Sequence, residues 1–260
     1  MTDLLCTYRF GPPGPARVLA IHGLTGHGKR WESLFAGHLP DVTAIAPDLL
    51  GHGRSSWDAP WTIDANVAAL ATLLDAEGGA PVVVVGHSFG GALALNLAAL
   101  RPDLIAGLVL LDPAVALDGR WMREVADDMY NSPDYTDREE ARREKLGGSW
   151  GEVAEDELDR ELDEHLVDQA DGRVGWRISI PAMLSYWSEL TRPVPVPRDG
   201  TPTTLVRAAR TDPPYAGAEL IATLDAGLGT DLTVLEWDCD HMVPLAKPAE
   251  TAAVIRNLLG

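Results

Sequence analysis

A serine set between glycines is the first segment of the chain that could carry chemistry. The segment reads Gly86-His87-Ser88-Phe89-Gly90, with a glycine two residues to either side of the serine. It follows a valine-rich apolar run and precedes an Ala- and Leu-rich stretch of helical pattern. A sharp turn from a strand into a helix exposes such a hydroxyl at the helix N-terminus, where free N–H groups favour negative charge. The segment therefore predicts that Ser88 is a nucleophile.

A serine hydroxyl is a weak nucleophile and needs an imidazole base, which in turn needs a carboxylate to orient it. His241 follows the last predicted strand, and the carboxyl ends of parallel strands share one edge of a sheet. Two aspartates follow strands and could serve as the acid, Asp212 and Asp112. The preferred acid is Asp212, which gives the chain order Ser88, Asp212, His241 that is expected for a nucleophile in such a turn. Asp112 remains the alternative acid.

Short apolar runs alternate with helical segments and must position these residues. Strands are predicted at 17–22, 42–46, 82–85, 107–111, 203–208 and 232–237, and helices at 66–76, 89–100 and 248–259. The strands do not alternate between polar and apolar residues, which is typical of strands covered on both faces. The pattern predicts an α/β fold, a mostly parallel sheet covered by helices on both faces.

The segment 114–200 interrupts this pattern. It is charged and Trp-rich, and it contains no convincing buried strand. Ala154, Leu158, Leu162 and Leu166 recur at four-residue spacing and predict an apolar stripe on an acidic helix. We therefore predict a helical insertion at 114–200 within a core formed by residues 1–113 and 201–260.

Together these motifs resemble the α/β-hydrolase superfamily, and the resemblance covers nearly the whole chain. Two glycine-rich turns add to it, His22-Gly23-Leu24-Thr25-Gly26 and Asp48-Leu-Leu-Gly-His-Gly-Arg-Ser55. The resemblance implies the α/β-hydrolase fold, an oxyanion hole made by the backbone N–H groups of Leu24 and Phe89, and a cap formed by the insertion.

The resemblance is incomplete at two positions. Ala209 stands where the family usually has glycine three residues before the acid, and Asp240 stands where glycine usually precedes the histidine. Relatives of this fold that hydrolyse epoxides or haloalkanes use an aspartate as nucleophile, so Ser88 argues against both activities.

The expected activity is that of a serine hydrolase that cleaves the carboxylic ester of a small or medium apolar substrate through an acyl-enzyme. The same triad could instead serve C–C bond hydrolysis, thioester hydrolysis or perhydrolysis, or the fold could be a ligand receptor. None of these requires a metal or a cofactor. The predicted substrate pocket comprises His22, Gly23, His87, Trp121, Met183 and Trp187.

Composition narrows the range of partners. The net charge is -18, with 21 Lys and Arg against 39 Asp and Glu, which excludes a general nucleic-acid binder and charge-driven membrane association. Two distant cysteines and the absence of a signal peptide or a long apolar run favour a cytoplasmic protein without integral membrane association. We expect a monomer or homodimer that acts on a small molecule.

The negative charge is concentrated in one region. Residues 134–171 carry 15 Asp and Glu against 5 Lys and Arg, a local net charge of -10. The favoured interpretation is a solvated helix face. The alternative is an electric field that disfavours anionic substrates at the entrance to the site.

Overall fold

The structure, a computed structural model, describes residues 4–170 and 172–260. Residues 1–3 of the predicted core and Asp171 of the acidic region lie outside the described residues. The strands are β1 Thr7–Phe10, β2 Val18–Ile21, β3 Ala44–Pro47, β4 Val82–His87, β5 Ile105–Leu111, β6 Leu166–Asp168, β7 Val174–Trp176, β8 Thr203–Ala208 and β9 Leu232–Trp237. The helices are α1 Glu32–His38, α2 Ile63–Ala76, α3 Phe89–Leu100, α4 Gly119–Asn131, α5 Arg138–Gly147, α6 Glu155–His165, α7 Ile180–Glu189, α8 Ala218–Leu228, α9 Val243–Ala246 and α10 Pro248–Leu259.

Seven strands form one sheet in the order β1-β3-β2-β4-β5-β8-β9. All neighbouring pairs are parallel except β1 with β3, which is antiparallel. The six strands predicted from the sequence are present, with ends shifted by at most two residues. The predicted α/β fold with a mostly parallel sheet is therefore confirmed.

The central strand β4 shows why the predicted strands are continuous apolar runs. All six of its residues are buried. Val84 packs into the apolar cluster that includes α2 and α3, whereas Val83 and Val85 pack into the cluster that includes α1 and α10. Successive side chains of a strand point to opposite faces, so a strand covered on both faces needs an apolar residue at every position.

Several elements have no clear counterpart in the sequence pattern. The edge strand β1 is short and partly exposed, and its residues, Thr-Tyr-Arg-Phe, form no apolar run. The hairpin β6–β7 lies within 114–200, where no convincing buried strand was expected. Its buried residues are Gly175 and Trp176, too few to stand out as an apolar run. Helices α1 and α8 were also not predicted from the sequence.

The insertion occupies the chain between β5 and β8 and comprises α4 to α7 with the hairpin β6–β7. Helix α7 joins it to the core through Tyr186, whose hydroxyl donates to the Leu50 carbonyl at 3.0 Å and accepts from Asn66 Nδ2 at 2.8 Å. The division into core and cap stays a prediction. Over residues 4–170 and 172–260, the structure contains no helix of the length and apolar character that crossing a membrane requires.

Candidate active site

Ser88 occupies the turn between β4 and α3 in a strained conformation. Its φ and ψ are 55° and -119°, in the positive-φ region that residues other than glycine rarely adopt. The surroundings hold this conformation from both sides. The Ser88 N–H donates to the Leu111 carbonyl at 3.0 Å, and the Ser88 carbonyl accepts from Gly91 at 2.8 Å and from Ala114 at 3.1 Å. The serine predicted to be the nucleophile therefore lies in a turn held by its neighbours.

Two positions near Ser88 are glycine because two backbone segments lie too close together there for a side chain. A Cβ on Gly23 would lie 3.0 Å from the Ser88 Cβ and 3.1 Å from His87 Nδ1. A Cβ on Gly90 would overlap the Ile21 carbonyl oxygen. The absence of these two methyl groups lets the end of β2 lie directly against the serine turn.

The same approach leaves two backbone donors unused. Within the described part of the chain, the N–H groups of Leu24 and Phe89 have no hydrogen-bond acceptor. Phe89 begins α3, where the first N–H groups have no partner within the helix. These are the two amides that the resemblance assigns to an oxyanion hole, and that role remains a prediction.

His241 is paired with Asp112. His241 Nδ1 lies 2.6 Å from Asp112 Oδ2, and Asp112 is fully buried. The other carboxylate oxygen accepts the N–H of Ala208 at 3.2 Å, and the Asp112 N–H donates to the Val206 carbonyl at 2.7 Å. An ionised carboxylate only accepts, so the imidazole proton sits on Nδ1 and Nε2 is left as the acceptor.

This pairing corrects the preferred sequence assignment of Asp212. Asp212 is exposed, whereas Asp112, the alternative, holds the histidine. The reason is topological. Asp112 directly follows β5, which lies beside the serine-bearing β4, while Asp212 lies four residues past β8 on a loop that has already turned to the surface. Chain order alone does not separate the two positions.

The loop after β8 contributes an aromatic ring instead of a carboxylate. Tyr215 stacks on the His241 imidazole, with ring centroids 3.9 Å apart and an interplanar angle of 22°. Trp121 of α4 also contacts Tyr215, with ring centroids 5.0 Å apart. Burial, together with the charges of Asp112 and Asp240, raises the pKa of Tyr215 to about 12, so its hydroxyl stays protonated near neutral pH. No sequence motif marks this residue.

His87 supports His241 from the serine turn. Its Nε2 lies 2.7 Å from the His241 carbonyl, which can only accept, so His87 donates. Burial, followed by the proximity of His241, lowers the pKa of His87 well below its ordinary value. His87 is therefore a neutral hydrogen-bond donor that fixes the backbone of the base.

The predicted pocket residues do not form one cavity. Met183 is fully buried in the apolar core and presents no surface to a substrate, which corrects its assignment to the pocket; His22 is 1% exposed. His22 Nε2 accepts the Leu49 N–H at 3.0 Å. His22, Gly23 and His87 border a void of only about 10 Å³, and Trp187 is half-buried on α7. Trp121 reaches the site through Tyr215.

A larger cavity of about 520 Å³ lies between the insertion and the turn after β2. Thr25, the residue after Leu24, forms its core side, and Val125, one helical turn beyond Trp121, forms part of the α4 side. The remaining apolar and aromatic wall is formed by Met129, Tyr135, Trp150, Trp176, Ile178 and Ile180. Among the residues that the structure describes, no group of three or more His, Cys, Asp and Glu side chains could hold a metal ion.

The chain belongs to the alpha/beta hydrolase family, whose sequence profile matches residues 18–254. It is 64% identical over 252 residues to the lipase LipV of Mycobacterium tuberculosis (strain ATCC 25618 / H37Rv), a match that covers 97% of this chain and 96% of that protein. The family expected from the sequence is therefore confirmed.

Solved structures agree on the fold. The crystal structure of E-2-(acetamidomethylene)succinate hydrolase matches with a TM-score of 0.82 at 21% identity, covering 98% of this chain and 94% of that one. A marine microorganism esterase matches with a TM-score of 0.77 at 18% identity, covering 98% of both chains. At these identities the likeness concerns the fold alone.

Proposed function

We propose that this protein is a serine hydrolase that cleaves carboxylic esters of small or medium apolar substrates through an acyl-enzyme. The observation that carries the proposal is the 2.6 Å contact between His241 Nδ1 and the buried Asp112, at the sheet edge where Ser88 is held in its strained turn. A relative that matches over 96% of its own length is named a lipase, which agrees with ester hydrolysis.

Each residue has a defined role in the proposed reaction. His241 Nε2 takes the proton of the Ser88 hydroxyl as Ser88 Oγ attacks the ester carbonyl, and Asp112 stabilises the imidazolium that forms. The N–H groups of Leu24 and Phe89 donate to the oxyanion. His241 then returns the proton to the departing alcohol, and water, deprotonated by the same histidine, releases the acid and restores Ser88.

The cavity beside Thr25 supports small or medium neutral esters as the substrates. Its volume of about 520 Å³ is within the range of small-molecule sites, and half of its lining residues are apolar or aromatic. Lys145 also lines it, but its ammonium is bound to Glu161 Oε1 at 3.0 Å and lies 4.2 Å from the ring centres of Trp150 and Trp176. A lysine engaged in this way does not offer a free cation to an anionic substrate, which supports neutral esters.

The test is hydrolysis of p-nitrophenyl esters, from acetate to palmitate, by the wild-type protein and by Ser88→Ala. We expect kcat to fall by at least about 10⁴-fold in Ser88→Ala, since the nucleophile is lost while the fold is kept. Ser188→Ala, at an exposed position on α7, is the matched control and should keep full activity. Wild-type activity that survives in Ser88→Ala would contradict the proposal.

A further inference from the structure

Glu161 is a buried carboxylate on the helix that was expected to present a solvated acidic face. It lies on α6 of the insertion and is 2% exposed. Arg30 engages both of its oxygens, with Nε 2.9 Å from Oε2 and Nη2 on Oε1. Lys145 Nζ and His27 Nε2 each lie 3.0 Å from it. Burial alone would raise the pKa of Glu161, but the charges of Arg30 and Lys145 hold it well below its ordinary range.

Arg30 also reaches the turn that follows β2. Its Nη2 donates to the Thr25 carbonyl at 2.9 Å. Thr25 directly follows Leu24 and has a φ of 60°, a strained value for a β-branched residue. A turn in this conformation persists only when its surroundings hold it. One guanidinium group therefore connects a carboxylate of the insertion to the turn that carries the Leu24 amide.

We propose that Glu161 and Arg30 act as positioning residues, through which the docked insertion fixes the Leu24 N–H in the oxyanion hole. The inference rests on the proposed function, because it assigns a purpose to the oxyanion hole of that reaction. An oxyanion donor acts only when it is aimed at the developing charge, and loss of one donor costs about 10²- to 10³-fold in kcat. Partial misplacement should cost somewhat less.

The test is Arg30→Lys, because lysine keeps the positive charge beside Glu161 but lacks the planar fork that reaches two acceptors at once. We expect kcat to fall about 10- to 100-fold with little change in KM. Affinity for a trifluoromethyl ketone, which forms an oxyanion on the serine, should fall by the same factor. Glu161→Asp, which withdraws the carboxylate by one methylene, should also lower kcat. This second variant keeps the inference testable if Arg30→Lys does not fold.

Arg54→Lys is the matched control. Arg54 pairs with Glu164 on the same helix and therefore also joins the core to the insertion, but its hydrogen bonds do not reach the Thr25 turn. It should change neither kcat nor inhibitor affinity. If folded Arg30→Lys and Glu161→Asp keep wild-type kcat and inhibitor affinity, the inference is wrong, even if both unfold at lower temperature. Failure of the proposed function would look different, as an absence of ester hydrolysis in the wild-type protein itself.

Discussion

Replacing Asp112 with asparagine tests which carboxylate holds His241. In the wild-type protein, Oδ2 accepts from His241 Nδ1 at 2.6 Å and Oδ1 accepts from the Ala208 N–H at 3.2 Å. An asparagine that keeps the second bond presents its NH₂ group to Nδ1, which must then become the acceptor. The imidazole proton moves to Nε2, and the ring no longer accepts the serine proton. The expected loss in kcat is about 10⁴-fold, which corresponds to about 5.5 kcal/mol of transition-state stabilisation.

The assay is steady-state hydrolysis of a p-nitrophenyl ester by Asp112→Asn and Asp212→Asn. Asp212 is exposed and has no hydrogen bond to the histidine, so Asp212→Asn should keep kcat within about twofold of the wild type. Circular dichroism of both variants checks that the fold is intact. A folded Asp112→Asn with near-normal kcat, together with a large loss in Asp212→Asn, would refute the reasoning and restore Asp212 as the acid.

Two further predictions concern the aromatic neighbour of the base and the buried histidines. Tyr215→Leu should lower kcat about 3- to 10-fold through loss of ring stacking on His241, whereas Tyr215→Phe should keep it; equal rates in the two variants would contradict a role for the ring. Burial lowers the pKa of His22, His87 and His165 well below 6.5 and that of His52 to about 4. Below about pH 6.5 the unfolded chain therefore binds more protons than the folded chain. The free energy of unfolding should decrease as the pH is lowered, by up to about 5 kcal/mol per pH unit for the four histidines, until the folded histidines also titrate. Urea unfolding between pH 7 and pH 5 measures this slope, and a flat profile would contradict neutral buried histidines.

The strands and the serine turn were predictable because local sequence determines them. A strand covered on both faces must be apolar throughout, so β2, β4 and β5 are visible as apolar runs. The glycines around Ser88 mark a turn too tight for side chains. The acid was harder to assign, because two aspartates follow neighbouring strands and their approach to His241 depends on the path of each loop in space.

The acidic helix shows a different limit of sequence reasoning. Of the predicted apolar stripe, Leu158 and Leu162 lie on the buried face of α6, whereas Ala154 precedes the helix and is exposed, and Leu166 begins β6. The buried positions of the helix, 158, 161, 162 and 165, follow helical spacing and include Glu161 and His165. His165 is 1% exposed and stacks on His27 at 4.7 Å, and His27 is likewise buried. Arg30, one of the cations that compensate Glu161, is 131 residues away, and no local pattern reveals such a partner.

The most direct test of the central claim is the reaction of the wild-type protein with a fluorophosphonate, located by peptide mass spectrometry. If Asp112 and His241 activate Ser88, one adduct forms per chain and lies on Ser88, and His241→Ala greatly slows its formation. The absence of an adduct, or an adduct on another serine that forms equally well in His241→Ala, would contradict the account.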